Sequence, residues 1–143
     1  HAELGRGTGA TPDGRLAGVA LSPGPDPAPG RATSGPTAAA LSVTAFDHGP
    51  LIGGVAFNMR FSPATLASAE QRRKLAALIQ TYFARGGFQT QITTVDLQTL
   101  RDAREHPEQH ADLLVRIAGY SDYFVLLSPD IQREILSRTE HRV

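Results

Sequence analysis

Three sets of residues in this chain have the types and spacing to suggest chemistry. Gly5-Arg6-Gly7-Thr8-Gly9 has the glycine density of a phosphate-cradling loop. Such a loop follows a strand, opens a helix and ends in Lys-Ser or Lys-Thr; none of these surrounds Gly5, and an ordinary loop is the better reading. His106 and His110 have the i, i+4 spacing of two zinc ligands on a helix. Pro107 spoils that helix and no third ligand is evident, so no metal site is expected. The serines and histidines could be assembled into a triad on paper, but no spacing favours it. There is no cysteine, which excludes a disulfide, a thiolate metal site and a cysteine nucleophile within this chain. What remains is a backbone position. Gly119, in Arg116-Ile117-Ala118-Gly119-Tyr120-Ser121, lies between the apolar residues Leu113, Leu114, Val115 and Ile117 and the run Tyr123 to Leu126. Its plain reading is a bulge or tight turn between two strands.

The elements that must position Gly119 follow from periodicity. Val55, Phe57, Met59 and Phe61 alternate with Asn58 and Arg60, which predicts a half-buried strand ended by Pro63. Leu66, Leu75, Leu78, Ile79 and Tyr82 share one face of a helix predicted over 64–84, stopped by Gly86-Gly87. Phe88 to Val95 reads as a second strand. Asp96 caps a short helix running to about Glu105, and Leu113 to Ile117 is a third strand. Ser128-Pro129 opens a last helix reaching about Arg138. Tyr82-Phe83 and Tyr123-Phe124 are expected in the core. Residues 1–36 hold eight of the fourteen glycines and six of the ten prolines. That segment is expected to form no helix and to lie over another protein surface.

Bulk composition narrows the function classes. The 143 residues suffice for one compact domain, at 41% hydrophobic and 20% charged. Fourteen basic residues balance fourteen acidic ones, which argues against a nucleic-acid or anionic-membrane surface. No apolar run approaches the roughly 20 residues of a membrane span. The first residues are polar and Gly-rich, unlike a signal peptide, and a cytoplasmic location is expected. The chain begins at His1 without an initiator methionine, which reads as a fragment or a processed product.

The last third carries a more specific signal. The run His106-Pro107-Glu108, Asp112 through Ser128 and Gln132 through His141 closely resembles the C terminus of glycyl radical enzymes. Pro12-Asp13-Gly14-Arg15, Gly35-Pro36-Thr37-Ala38, Asn58-Met59-Arg60-Phe61-Ser62-Pro63, Thr81-Tyr82-Phe83 and Gly86-Gly87-Phe88 occur in the order that family has them. The resemblance spans nearly the whole chain. Arg116-Ile117-Ala118-Gly119-Tyr120-Ser121 is more similar to the dehydratase and lyase branch than to true pyruvate formate-lyases, which tend to read Val-Ser-Gly-Tyr-Ala here. The resemblance implies an α+β unit: the C-terminal piece of a ten-stranded α/β barrel, with an extended Gly/Pro-rich leader. Residues 1–63 would be the leader and barrel-side strand, and residues 64–143 the glycine radical domain.

The resemblance also implies a role for Gly119 as the radical store. Loss of one Cα hydrogen leaves an unpaired electron between a donating amide nitrogen and a withdrawing carbonyl. Sharing it requires the backbone around Cα to flatten, which a side chain would obstruct and glycine permits. The flanking apolar residues are expected to sheathe Gly119 from water and oxidants. By the same resemblance, no cofactor is bound. A radical S-adenosylmethionine activating enzyme with an iron–sulfur cluster would install the radical, and Gly119 must leave a buried pocket to meet it. Arg116, Ile117, Ala118, Tyr120 and Ser121 would form the loop it recognises. In the family the glycyl radical generates a thiyl on a cysteine. Without one here, that cysteine must lie on a catalytic barrel outside this chain, within an anaerobic enzyme expected to be a homo-oligomer. The alternatives are a stand-alone radical module that docks onto and rescues a partner enzyme, and a decayed remnant serving as a binding surface. The Gly-rich leader favours the first reading and the intact Arg116–Ser121 loop opposes the last.

Overall fold

The computed structural model describes residues 1–117 and 119–142. Its centre is strand β1 (Ala56–Phe61), which pairs in parallel with β2 (Gln89–Thr94) on one side and β5 (Glu140–His141) on the other. A central parallel strand is covered on both faces, and Phe57, Met59, Arg60 and Phe61 are all buried. The connection from β1 to β2 runs through a 3₁₀ turn (Pro63–Leu66) and helix α3 (Ala69–Ala84), the third helix after α1 (Ala2–Arg6) and α2 (Gly35–Val43).

One helix was expected over 64–84, and it is broken at Ser68. Ser68 Oγ accepts the Gln71 N–H at 3.1 Å while Gln71 Oε1 accepts the Ser68 N–H at 3.3 Å. This reciprocal capping box satisfies two otherwise orphaned donors and starts a new helix. Tyr82, fully buried, packs on Phe57, and its hydroxyl donates to the Gln89 carbonyl at 3.0 Å. Its ring leaves room only for a glycine at 87, where a Cβ would collide with it. Phe83, by contrast, faces outward.

A second layer holds α4 (Leu97–Glu105), the short antiparallel pair β3 (Leu114–Arg116) and β4 (Ser121–Tyr123), and α5 (Pro129–Ser137). Asp96 caps α4 by accepting the Thr99 N–H at 2.7 Å, and Ser128 caps α5 with Pro129 in its first turn. Val95, Leu100, Ala103, Val115, Ile117, Phe124 and Ile135 form the core of this layer. A separate cluster of α2, β1 and α3 side chains fills the other side of the sheet.

The leader departs from expectation in two ways. Ala2–Arg6 forms a turn of helix inside the segment expected to have none, and a nine-residue helix starts at that segment's end, at Gly35. The leader also lies against this chain's own surface: Arg6 pairs with Asp130, and Asp26 accepts the Asn58 N–H and Nδ2 at 2.9 Å each. Proline 36 sits in the first turn of α2, where its missing N–H costs nothing, and Ala39, Ala40 and Val43 are buried.

Candidate functional site: the Gly119 hairpin

Strands β3 and β4 pair Leu114 with Tyr123, Val115 with Asp122 and Arg116 with Ser121. Beyond them the Ile117 N–H donates to the Tyr120 carbonyl at 3.0 Å. Gly119 therefore occupies the apex of a hairpin, with φ +88°, a conformation that costs an L side chain about 1–2 kcal/mol. A Cβ built there meets nothing within 4 Å. The demand for glycine is thus conformational and not one of space.

Alternation along β3 divides its side chains. Val115 and Ile117 point into the core, while Leu114 is exposed. Across the hairpin, Phe124 is fully buried, whereas Tyr120, Tyr123 and Leu126 are exposed. The apolar sheath expected around Gly119 lies behind it and not over it, and Gly119 itself is exposed in this chain. The period of two is the reason: each strand can give only half of its apolar residues to the core. Half of the Tyr123-Phe124 pair is accordingly outside.

Of the expected loop residues, Arg116, Ile117, Tyr120 and Ser121 are brought together with Gly119; Ala118 lies outside the described residues. Arg116 Nη1 donates to Ser121 Oγ at 3.3 Å, across the hairpin. Two residues that periodicity did not single out do much of the holding. Gln91, buried on β2, accepts the Gly119 N–H at 3.3 Å and Arg116 Nε at 3.0 Å through one oxygen, Oε1. Arg138, just past α5, donates to the carbonyls of Arg116 at 2.8 Å and Ile117 at 2.6 Å. Its Nε is fixed by Glu134 Oε1 at 3.0 Å, a buried carboxylate. Burial of a polar side chain without partners is costly, which is the signal that could have found them. In a lone sequence nothing says which polar residues face inward.

The histidine pair is engaged elsewhere. His106 Nδ1 and His110 Nε2 lie 3.0 and 2.6 Å from the two oxygens of Asp102. Hydrogen bonds from His110 and then His106 hold that carboxyl below the usual carboxylate range. No cluster of three or more His, Cys, Asp or Glu suited to a metal occurs among the described residues.

This geometry, a glycine exposed at the apex of a braced hairpin, coincides with a family match. The family model described as "Glycine radical" covers residues 21–125. The chain belongs to the glycine radical family. The relatives of this radical domain include the protein named "Probable dehydratase YbiW" of Escherichia coli (strain K12), 45% identical over 96% of this chain and 17% of that protein. The indoleacetate decarboxylase of Tractidigestivibacter scatoligenes is 41% identical over 99% of the chain and 16% of the relative. Among solved structures, the glycerol-bound form of the B12-independent glycerol dehydratase from Clostridium butyricum superposes with a TM-score of 0.95 at 42% identity. That match covers 99% of this chain and 18% of the dehydratase. The chain thus spans about a sixth of the length of the proteins it matches. Mixed α and β content is common to these neighbours, and no helix among the described residues is long and apolar enough to cross a membrane.

Proposed function

We propose that this chain is the radical-storing C-terminal part of an anaerobic glycyl radical enzyme of the dehydratase or lyase type, with the radical on Gly119. The observation that carries the reading is the placement of Gly119. Its Cα stands at the exposed apex of the hairpin with open space where a side chain would be, while the backbone on either side is held. With no side chain on that Cα the carbon is free to flatten, and the flanking peptide groups are kept in order. Family membership and the dehydratases and decarboxylases among its relatives support the branch.

In this reading a radical S-adenosylmethionine activating enzyme supplies the abstraction of hydrogen from Gly119. Arg116, Ile117, Ala118, Tyr120 and Ser121 form the loop it engages. The exposed Leu114, Tyr120, Tyr123 and Leu126 form the face that the catalytic barrel covers, which completes the sheath this chain lacks. The radical then passes to a cysteine of that barrel, since this chain has none.

Exposure to oxygen tests it. The activated full-length enzyme should be cleaved at Gly119 on admission of air, giving two fragments by mass spectrometry. The Gly119→Ala protein treated identically should remain whole. Cleavage of the alanine variant at the same peptide would refute the assignment.

A further inference from the structure

One side-chain oxygen of the parallel sheet accepts two N–H groups of the hairpin bearing Gly119. Gln91 sits within β2 opposite Asn58 of β1 and is buried. Its Oε1 accepts two N–H groups, those of Gly119 at 3.3 Å and Arg116 Nε at 3.0 Å. A carboxamide oxygen has two acceptor sites, and both serve this hairpin. Arg116 is in turn held by Ser121 Oγ and, at its carbonyl, by Arg138. The guanidinium therefore pins the oxygen that faces the Gly119 amide.

We propose that Gln91 is a positioning residue for the radical site: its Oε1 fixes the Gly119 amide and strengthens that nitrogen's donation to the unpaired electron. The inference rests on the reading of Gly119 as the radical carbon. A hydrogen atom leaves Cα as one proton and one electron, so Gly119 stays uncharged and its N–H stays in place. The donor that Gln91 Oε1 accepts from is therefore still present in the radical. An acceptor on an amide N–H leaves more electron density on nitrogen, and the nitrogen lone pair is the donor half of the delocalisation. A neutral carboxamide gives this support without placing a charge beside the radical.

The test uses the full-length enzyme, activated anaerobically, with its glycine nitrogens isotopically labelled and the radical followed by electron paramagnetic and double resonance. Gln91→Leu keeps the bulk and removes the acceptor. Its radical should decay about 3- to 10-fold faster than wild type, the range expected for loss of one hydrogen bond, with a smaller nitrogen hyperfine coupling at Gly119. Gln91→Glu retains a stronger acceptor opposite Arg116, so it should preserve the lifetime and move the coupling in the opposite direction. Equal couplings and lifetimes in all three proteins would overturn the proposal. Should the leucine variant fail to fold, the glutamate variant decides alone, an unchanged coupling counting against Gln91. Wild-type enzyme with no spin on glycine would remove the underlying reading, an outcome distinct from a normal wild-type signal that ignores Gln91.

Discussion

At Gly119 the requirement for glycine has two separable parts. The resting backbone needs a positive φ of +88°, and the proposed radical would need a carbon free to flatten. Alanine fails the two tests to different degrees. Since a Cβ meets nothing within 4 Å, Gly119→Ala should cost only about 1–2 kcal/mol of stability. Urea unfolding should therefore move little while the radical disappears. A loss of several kcal/mol would mean that the glycine is structural first. The turn at Gly119 was legible in the sequence as a glycine between two apolar runs. Gln91 and Arg138 were not, because their importance lies in contacts 28 and 21 residues away.

Among the elements, those with strong periodicity were readable and those fixed by partners were not. The alternation in Val55–Phe61 and the caps at Asp96 and Ser128 correspond to β1, α4 and α5. Helix α2 escaped because its buried face is made of Ala39, Ala40 and Val43, too small to mark a stripe. Strand β5 has two polar residues, Glu140 and His141, and exists because β1 offers it a free edge. The end of α5 also supplies the clamp on the hairpin. Arg138→Met would leave the buried Glu134 carboxylate only His1 Nε2, at 3.5 Å, and take the Arg138 donors from the Arg116 and Ile117 carbonyls. Breaking one side of such a pair costs about 3–5 kcal/mol. The double variant Glu134→Gln/Arg138→Met should be less destabilised than Arg138→Met alone, measured by urea unfolding in a double-mutant cycle. Strict additivity would show the pair to be uncoupled.

For the whole molecule, the notable link is between the leader and the sheet, through Asp26 and Asn58. Burial pushes the Asp26 carboxyl up to about 6, against the lowering effect of the Asn58 donors. In the unfolded chain it would titrate near the ordinary value of about 3.9. A raised acid pKa means that the folded chain holds the proton more tightly. Its contribution is therefore most favourable below about pH 4 and is lost as pH rises to about 6, by on the order of 1–3 kcal/mol. His141 opposes this in part, because burial, with Arg60 nearby, lowers its pKa and disfavours folding once it must be protonated. Comparing wild type with Asp26→Asn by urea unfolding between pH 4 and 7 isolates the carboxyl. The variant should gain relative stability as pH rises, and a pH-independent difference would contradict the assignment. Composition announced a Gly/Pro-rich leader but not its seat on this chain, which depends on one half-buried carboxyl group meeting a strand 32 residues on.

The most direct measurement is the resonance spectrum of the full-length enzyme after anaerobic activation. One hydrogen remains on the Cα of a glycyl radical, so the signal should be a doublet. It should collapse to a single line when glycine is deuterated at Cα, and it should be absent from the Gly119→Ala enzyme. A signal indifferent to deuterated glycine, or one that persists in the alanine variant, would place the unpaired electron elsewhere.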